Sequence, residues 1–255
     1  SVSIVGLALM GFFQPLLSED LEFTTPEEAG YDSAKPVSLS DGFRDLYADG
    51  LIPNYVLAIA KDGGIFYSAF EGNSRIGSGN GVDLNTRYPL ASMTKPLVST
   101  AIMRLIEEER LRLDSKLSEF FPQFANMFVA PGGSLELLEE ASREITILDL
   151  MTHTSGLTYS SYVTGVGDVA ELYDEFNIID RCMSRDENMD LLSQIPLIAQ
   201  PGTEWNYSVG VDVLGAIIEV VTEKTMGEYV KEIILDPLGM SEAGFTMPQR
   251  ELNEN

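Results

Sequence analysis

Ser92 and Lys95 stand three residues apart in the run Ser92-Met93-Thr94-Lys95. A hydroxyl beside an amine can do acyl-transfer chemistry. On a helix, positions three apart share a face, so the Lys95 amine can reach the Ser92 oxygen. A serine hydroxyl is a weak nucleophile until a neighbouring base takes its proton, and a lysine becomes such a base once its pKa is lowered. The pair alone says little, because 22 serines and 6 lysines in 255 residues supply about half of one such spacing by chance. The plainer alternative is an N-cap serine followed by a solvated first-turn lysine. Spacing leaves both open.

The elements that must hold the pair are legible around it. Tyr88-Pro89-Leu90-Ala91 predicts an extended or turn approach, since a residue before proline avoids the helical region. Leu97, Val98, Ala101, Ile102, Leu105 and Ile106 then recur at helical spacing, predicting a helix over 92–109. Pro96 is tolerated in its first turn, where N–H groups have no internal partner. A helix N-terminus would also place positive potential near the Ser92 oxygen.

Composition narrows the field. A net charge of −24 argues against nucleic acid or an anionic membrane as partner and reads as a solvated acidic surface. With 44% hydrophobic residues the chain can pack a core. One cysteine, Cys182, excludes an internal disulfide and a cysteine metal cluster, and is read as a small buried residue. One histidine, His153, excludes a multi-histidine zinc site. No metal or organic cofactor is implied, and nothing in the sequence speaks to oligomeric state.

Residues 1–20 form a separate apolar N-terminal segment, apolar through Leu17 and interrupted at Pro15. That is too short for a stable membrane span and resembles the core of a secretory signal without its basic start. Both an exported, periplasmic location and a cytoplasmic one remain open. Residues 18–37 read as a polar lead-in, followed by a helix capped by Ser40 or Asp41. Runs 55–60 and 65–70 flank Lys61-Asp62-Gly63-Gly64, a hairpin signal. Beyond residue 92 the expected helices are 92–109, 115–121, 135–142, 146–152, 188–195, 208–223 and 226–235, with 156–168 as loop. Two strands alone are marginal, and no further strand is read in the chain.

Four stretches in order carry a resemblance. They are Ser92-Met93-Thr94-Lys95, Leu150-Met151-Thr152-His153-Thr154-Ser155-Gly156-Leu157, Pro201-Gly202-Thr203-Glu204-Trp205-Asn206-Tyr207-Ser208, and Pro237-Leu238-Gly239-Met240. Over residues 31–248 the chain resembles the serine β-lactamase and penicillin-binding-protein superfamily, in particular the class C-like branch with its family VIII carboxylesterases. The resemblance implies an α/β (α+β) fold: an antiparallel sheet flanked by helices, with a largely helical subdomain at about 113–235 inside a catalytic domain of 21–255. It implies that Ser92 is the acylated nucleophile, that Lys95 accepts or relays its proton, and that Tyr207 is a second base and then acid to the leaving group. Trp205, beside the tyrosine motif, would line an acyl pocket or simply pack, Ser208 would line the substrate, and His153 would be structural.

Two departures refine this. Val209 stands where β-lactamases usually carry an asparagine that holds the β-lactam side-chain amide, which favours an ester substrate. The family's third motif, a Lys-Thr-Gly-like strand, is not found. Lys224-Thr225-Met226-Gly227 is read as a helix break rather than that strand. The resemblance puts the motif, with a second oxyanion-hole N–H, beyond residue 255. It thus implies a C-terminally truncated domain with an incomplete sheet, little activity and poor stability. The expected substrates are small esters of short to medium acyl chains. A β-lactamase or D-alanyl-D-alanine carboxypeptidase is the alternative, and an inactive fragment or a non-catalytic ligand-binding relative is a third reading.

Overall fold

The computed structural model describes residues 22–75, 79–178 and 183–246. The apolar N-terminal segment and Cys182 lie outside the described residues. The chain divides into two compact units, one of residues up to 89 together with 235 onward, the other of residues 90–234.

The first unit holds strand β1 (Glu22–Phe23), helix α1 (Ala34–Ala48), and strands β2 (Asn54–Lys61) and β3 (Gly64–Gly72). β2 and β3 pair antiparallel, from Asn54 opposite Gly72 to Lys61 opposite Gly64, with one irregularity at Ile59/Ala60. The turn forms where expected because Asp62 (φ 51°) and Gly63 (φ 85°) both adopt the left-handed backbone that a tight hairpin requires. β1 adds a third strand, parallel to β3, pairing Glu22 with Gly64 and Phe23 with Ile65. The expectation of no further strand is therefore corrected; two residues are too short to show a periodicity. α1 begins six residues before Ser40, because Pro36 sits in a first turn that needs no N–H from it. α1 meets the sheet through Phe43 on Tyr55 (ring centroids 5.5 Å) and through the Ser40 hydroxyl, 2.5 Å from the Tyr67 hydroxyl.

The second unit is mainly helical. It holds α2 (Thr94–Glu107), a small ribbon of β4 (Phe128–Val129) and β5 (Glu139–Glu140), then α3 (Ile147–Met151), α4 (Gly167–Glu175), α5 (Arg185–Leu192), α6 (Gly210–Thr222) and α7 (Met226–Val230). α6 is apolar nearly all round, as a helix at the centre of a core must be, and it packs against α2, α3 and α7. Ala101, Ile102 and Leu105 of α2 and Val213, Leu214, Ile217 and Ile218 of α6 are completely buried.

Three expectations here are corrected. Residues 135–142 contain strand β5 instead of a helix, pairing with Phe128 and Val129. Glu136, Glu139 and Glu140 would repel along such a helix, and Leu137 and Leu138 stay exposed, so no buried face supports one. Residues 115–121 make only a 3₁₀ turn, Leu117–Glu119, ahead of Pro122. α4 arises where a loop was read up to residue 168 and no helix after it. Gly165 and Gly167 masked a helix whose Val169, Ala170 and Tyr173 face the core. Thr225 caps α7 through Glu228, so Lys224–Gly227 spans the break between α6, which ends at Thr222, and α7, as expected. Among the described residues no helix is long and apolar enough to cross a membrane.

Since Ile217 is fully buried, Ile217→Ala should cost about 2–5 kcal/mol of stability, read as a lower urea midpoint at unchanged slope. A loss below about 1 kcal/mol would show that α6 is not the centre of this core.

Candidate active site

The α-helix begins at Thr94 and not at Ser92 as expected. Ala91–Met93 form a 3₁₀ turn and α2 follows from Thr94, with no side-chain cap at either start. The N-cap reading of Ser92 is thereby excluded. Ala91 takes φ 46°, a left-handed conformation that costs an alanine roughly 1–2 kcal/mol, so neighbouring contacts must hold this turn in place. Ser92 is exposed to solvent at the turn's crest.

Two side chains converge on Ser92. Its Oγ lies 2.5 Å from the Tyr207 hydroxyl, and Lys95 Nζ donates to it at 3.3 Å. The ammonium also donates to the Tyr159 hydroxyl at 3.1 Å and lies 4.8 Å from the Tyr207 ring centroid. The Tyr159 and Tyr207 rings pack at 5.4 Å. Ser92, Lys95 and Tyr207 thus meet at one point although Tyr207 is 115 residues from Ser92 in sequence.

The expected lowering of the Lys95 pKa is not found. Burial disfavours its charge, but the phenol oxygens of Tyr207 and Tyr159 outweigh burial and hold the ammonium above its ordinary value. Tyr207 moves the other way. Burial would raise it, yet the Lys95 ammonium and the Ser92 hydroxyl prevail and lower its pKa. The arrangement therefore keeps a lysine cationic beside a phenol made easier to ionise.

His153 closes α3 in a left-handed conformation (φ 57°), with its Nδ1 facing Ser208 rather than Ser92. Nδ1 accepts the Ser208 backbone N–H at 3.3 Å and contacts the Ser208 hydroxyl at 3.2 Å. Burial, then the Lys95 charge, lowers the His153 pKa and keeps the ring neutral. Its ring packs on Tyr207 with centroids 4.9 Å apart. Ser208 is fully buried, its hydroxyl also accepting from the Gly210 N–H at 3.2 Å. The structure thus sets Ser208 behind Tyr207, away from solvent. Trp205 is 68% exposed and stacks on Tyr207 at 6.4 Å. Val209 is buried with its N–H on the Thr158 carbonyl, so its side chain offers no polar group to a bound molecule.

Tyr159 and Asp212 were not singled out from the sequence. Tyr159 lies two residues past the Leu157 that ends the second motif. Asp212 is the only charge on the first two turns of the apolar α6, which was the available signal.

A charged network supports the loops. Asp149 of α3, nearly buried, accepts both Arg143 Nη atoms at 2.6 and 2.8 Å, the Thr146 N–H at 2.9 Å and the Thr146 hydroxyl at 2.7 Å. Gly202 donates its N–H to the Thr154 carbonyl at 2.7 Å, and the Arg143 guanidinium fills the space a side chain there would need. The 146–154 and 200–203 segments are tied together in this way, which sets the approach to Tyr207.

Residues 39–253 match the Beta-lactamase family, so the chain belongs to that family and carries its mixed α/β fold. It is 34% identical to esterase EstB of Burkholderia gladioli over 200 residues, which are 77% of this chain and 48% of EstB. Among solved structures it is similar to EstCE1, a hydrolase with promiscuous acyltransferase activity, at TM-score 0.67 and 29% identity over 81% of this chain and 51% of that one. It is also similar to simvastatin synthase LovD of Aspergillus terreus, at TM-score 0.62 and 26% identity over 80% of this chain and 53% of that one. The chain spans about half the length of the curated relatives it matches.

Burial alone would raise the Asp149 pKa, but Arg143 and Thr146 outweigh it and leave the pKa below 3.8. The stabilisation is therefore complete above the ordinary carboxylate pKa and disappears as pH falls through the lowered value. Asp149→Ala should cost about 2–4 kcal/mol at neutral pH, where it strands Arg143 and Thr146, and distinctly less in acid. Urea unfolding at both pH values reads this; an equal cost at both would show that the charge does not matter.

Proposed function

We propose that this chain carries the acylation site of a serine hydrolase acting on small carboxylic esters of short to medium acyl chains. One observation carries the reading: the Ser92 oxygen, the Tyr207 hydroxyl and the Lys95 ammonium meet within hydrogen-bonding reach. In this reading Tyr207, ionised beside Lys95, takes the Ser92 proton as the Ser92 oxygen attacks the ester carbonyl. The phenol then gives that proton to the departing alkoxide, leaving an acyl group on Ser92. Water repeats the sequence on the acyl-enzyme, with Tyr207 again as base and Ser92 as leaving group. Lys95 stays charged throughout and stabilises the phenolate. This departs from a lysine base and follows from the opposite directions of the two pKa shifts.

The ester preference is supported by Val209, an apolar residue at the position two after the tyrosine where β-lactamases usually carry an amide, and by the likeness to an esterase and to a hydrolase with acyltransferase activity. Trp205, exposed beside Tyr207, would give an acyl chain an apolar surface. A peptidase would instead be acylated stably by a penicillin, and a β-lactamase would hydrolyse it.

Intact-mass measurement after exposure to a p-nitrophenyl acyl ester should show an acyl adduct that disappears in Ser92→Ala. Tyr207→Phe should slow acylation about 10²–10⁴-fold. The rate should rise with pH through a value below 10, as Tyr207 ionises, and fall only above 10.5, as Lys95 loses its proton. An adduct with penicillin alone would replace the esterase reading, and labelling that persists in Ser92→Ala would remove the nucleophile.

A further inference from the structure

Lys95 has a second phenol as neighbour that the acylation chemistry does not use. Tyr159 is 8% exposed and follows Gly156, whose φ of 81° and close approach to the Ala199 carbonyl leave no room for a side chain. The Tyr159 oxygen accepts from Lys95 Nζ at 3.1 Å and points its own hydrogen toward Asp212 Oδ2 at 3.5 Å, the outer limit of a hydrogen bond. A buried phenol thus bridges an ammonium and a carboxylate. Burial and the nearby Asp212 charge raise the Tyr159 pKa, so it stays a neutral donor and acceptor while Tyr207 ionises. Part of Asp212 remains open to solvent, but crowding around its carboxyl raises its pKa against the pull of Lys95.

We propose that Tyr159 and Asp212 are a positioning pair, which anchors the Lys95 ammonium from below so that it serves Ser92 and Tyr207 above. The proposal rests on the acylation reading given above. A lysine side chain turns about four bonds, so one hydroxyl and one ring face do not fix its end. The Tyr159 oxygen supplies a third point at 3.1 Å, and the Tyr159 ring lies 5.6 Å from the ammonium. Asp212 supplies the counter-charge for an ammonium whose other neighbours are Ser92, a neutral His153 and a Tyr207 that becomes anionic only as it acts. Tyr159 and Tyr207 therefore divide the work. One holds the cation and keeps its proton; the other gives its proton up.

The test is the pH profile of Ser92 acylation, followed by intact mass with a fluorophosphonate probe, in the wild type, Tyr159→Phe and Asp212→Asn. Tyr159→Phe removes one oxygen and keeps the ring. It should slow labelling roughly 10- to 100-fold and move the alkaline limb to lower pH, because the ammonium loses an acceptor. Asp212→Asn should move both limbs to lower pH, since removing a negative charge lowers the pKa of Lys95 and Tyr207 alike. A purely structural Tyr159 would scale the rate and leave the limbs in place, and that result overturns the proposal. Should Tyr159→Phe fail to fold, an unmoved profile in Asp212→Asn overturns it as well. Absence of label on wild-type Ser92 would instead overturn the acylation reading and the pair together.

Discussion

One cation serving two phenols is the constraint on which the site depends. The Lys95 ammonium touches the oxygens of Ser92 and Tyr159 and faces the ring of Tyr207. A charge held close to a phenol favours phenolate, and phenols held close to an ammonium keep it protonated. The two groups are therefore coupled, and their titration belongs to the pair. A lysine stripped of its proton would give up this advantage, which is why the direction of its shift matters more than its presence in the motif.

The rest of the second unit can be understood as what keeps that cation in place. The strained turn at Ala91 sets Ser92 over Lys95. α6, buried between α2, α3 and α7, fixes the loop-to-helix corner that carries Tyr207 just before it and Asp212 in its first turn. His153 holds the backbone behind Tyr207 through Ser208, and the Arg143–Asp149 pair ties the preceding loop to α3. These contacts come from segments far apart in sequence, so the site exists only once this unit is folded.

That explains what could be read from the chain beforehand. Ser92, Lys95 and Tyr207 could be named only through the resemblance carried by four ordered stretches, because spacing alone leaves Ser92 and Lys95 open and Tyr207 looks like an ordinary aromatic before a helix. The hairpin at Asp62-Gly63 was legible because its backbone demands those residue types. Tyr159 and Asp212 were not, since each looks ordinary locally: an aromatic in a loop and an acid in a helix's first turn. Their meaning lies in a contact across 53 residues. α4 was hidden by flanking glycines, and the false helix over 135–142 came from leucines that in fact remain exposed. The sign of the Lys95 shift was unreadable for the same reason, because it depends on two phenols brought from elsewhere.

The most direct measurement is the ionisation of Tyr207 itself, followed by phenolate absorbance across a pH titration of the wild type, Tyr207→Phe and Lys95→Met. The step that belongs to Tyr207 should fall below the ordinary tyrosine value in the wild type, vanish in Tyr207→Phe and return to a higher value in Lys95→Met. If the step that depends on Tyr207 falls at or above 10, or is unmoved in Lys95→Met, the cation does not prepare the base and the roles of Lys95 and Tyr207 must be reassigned.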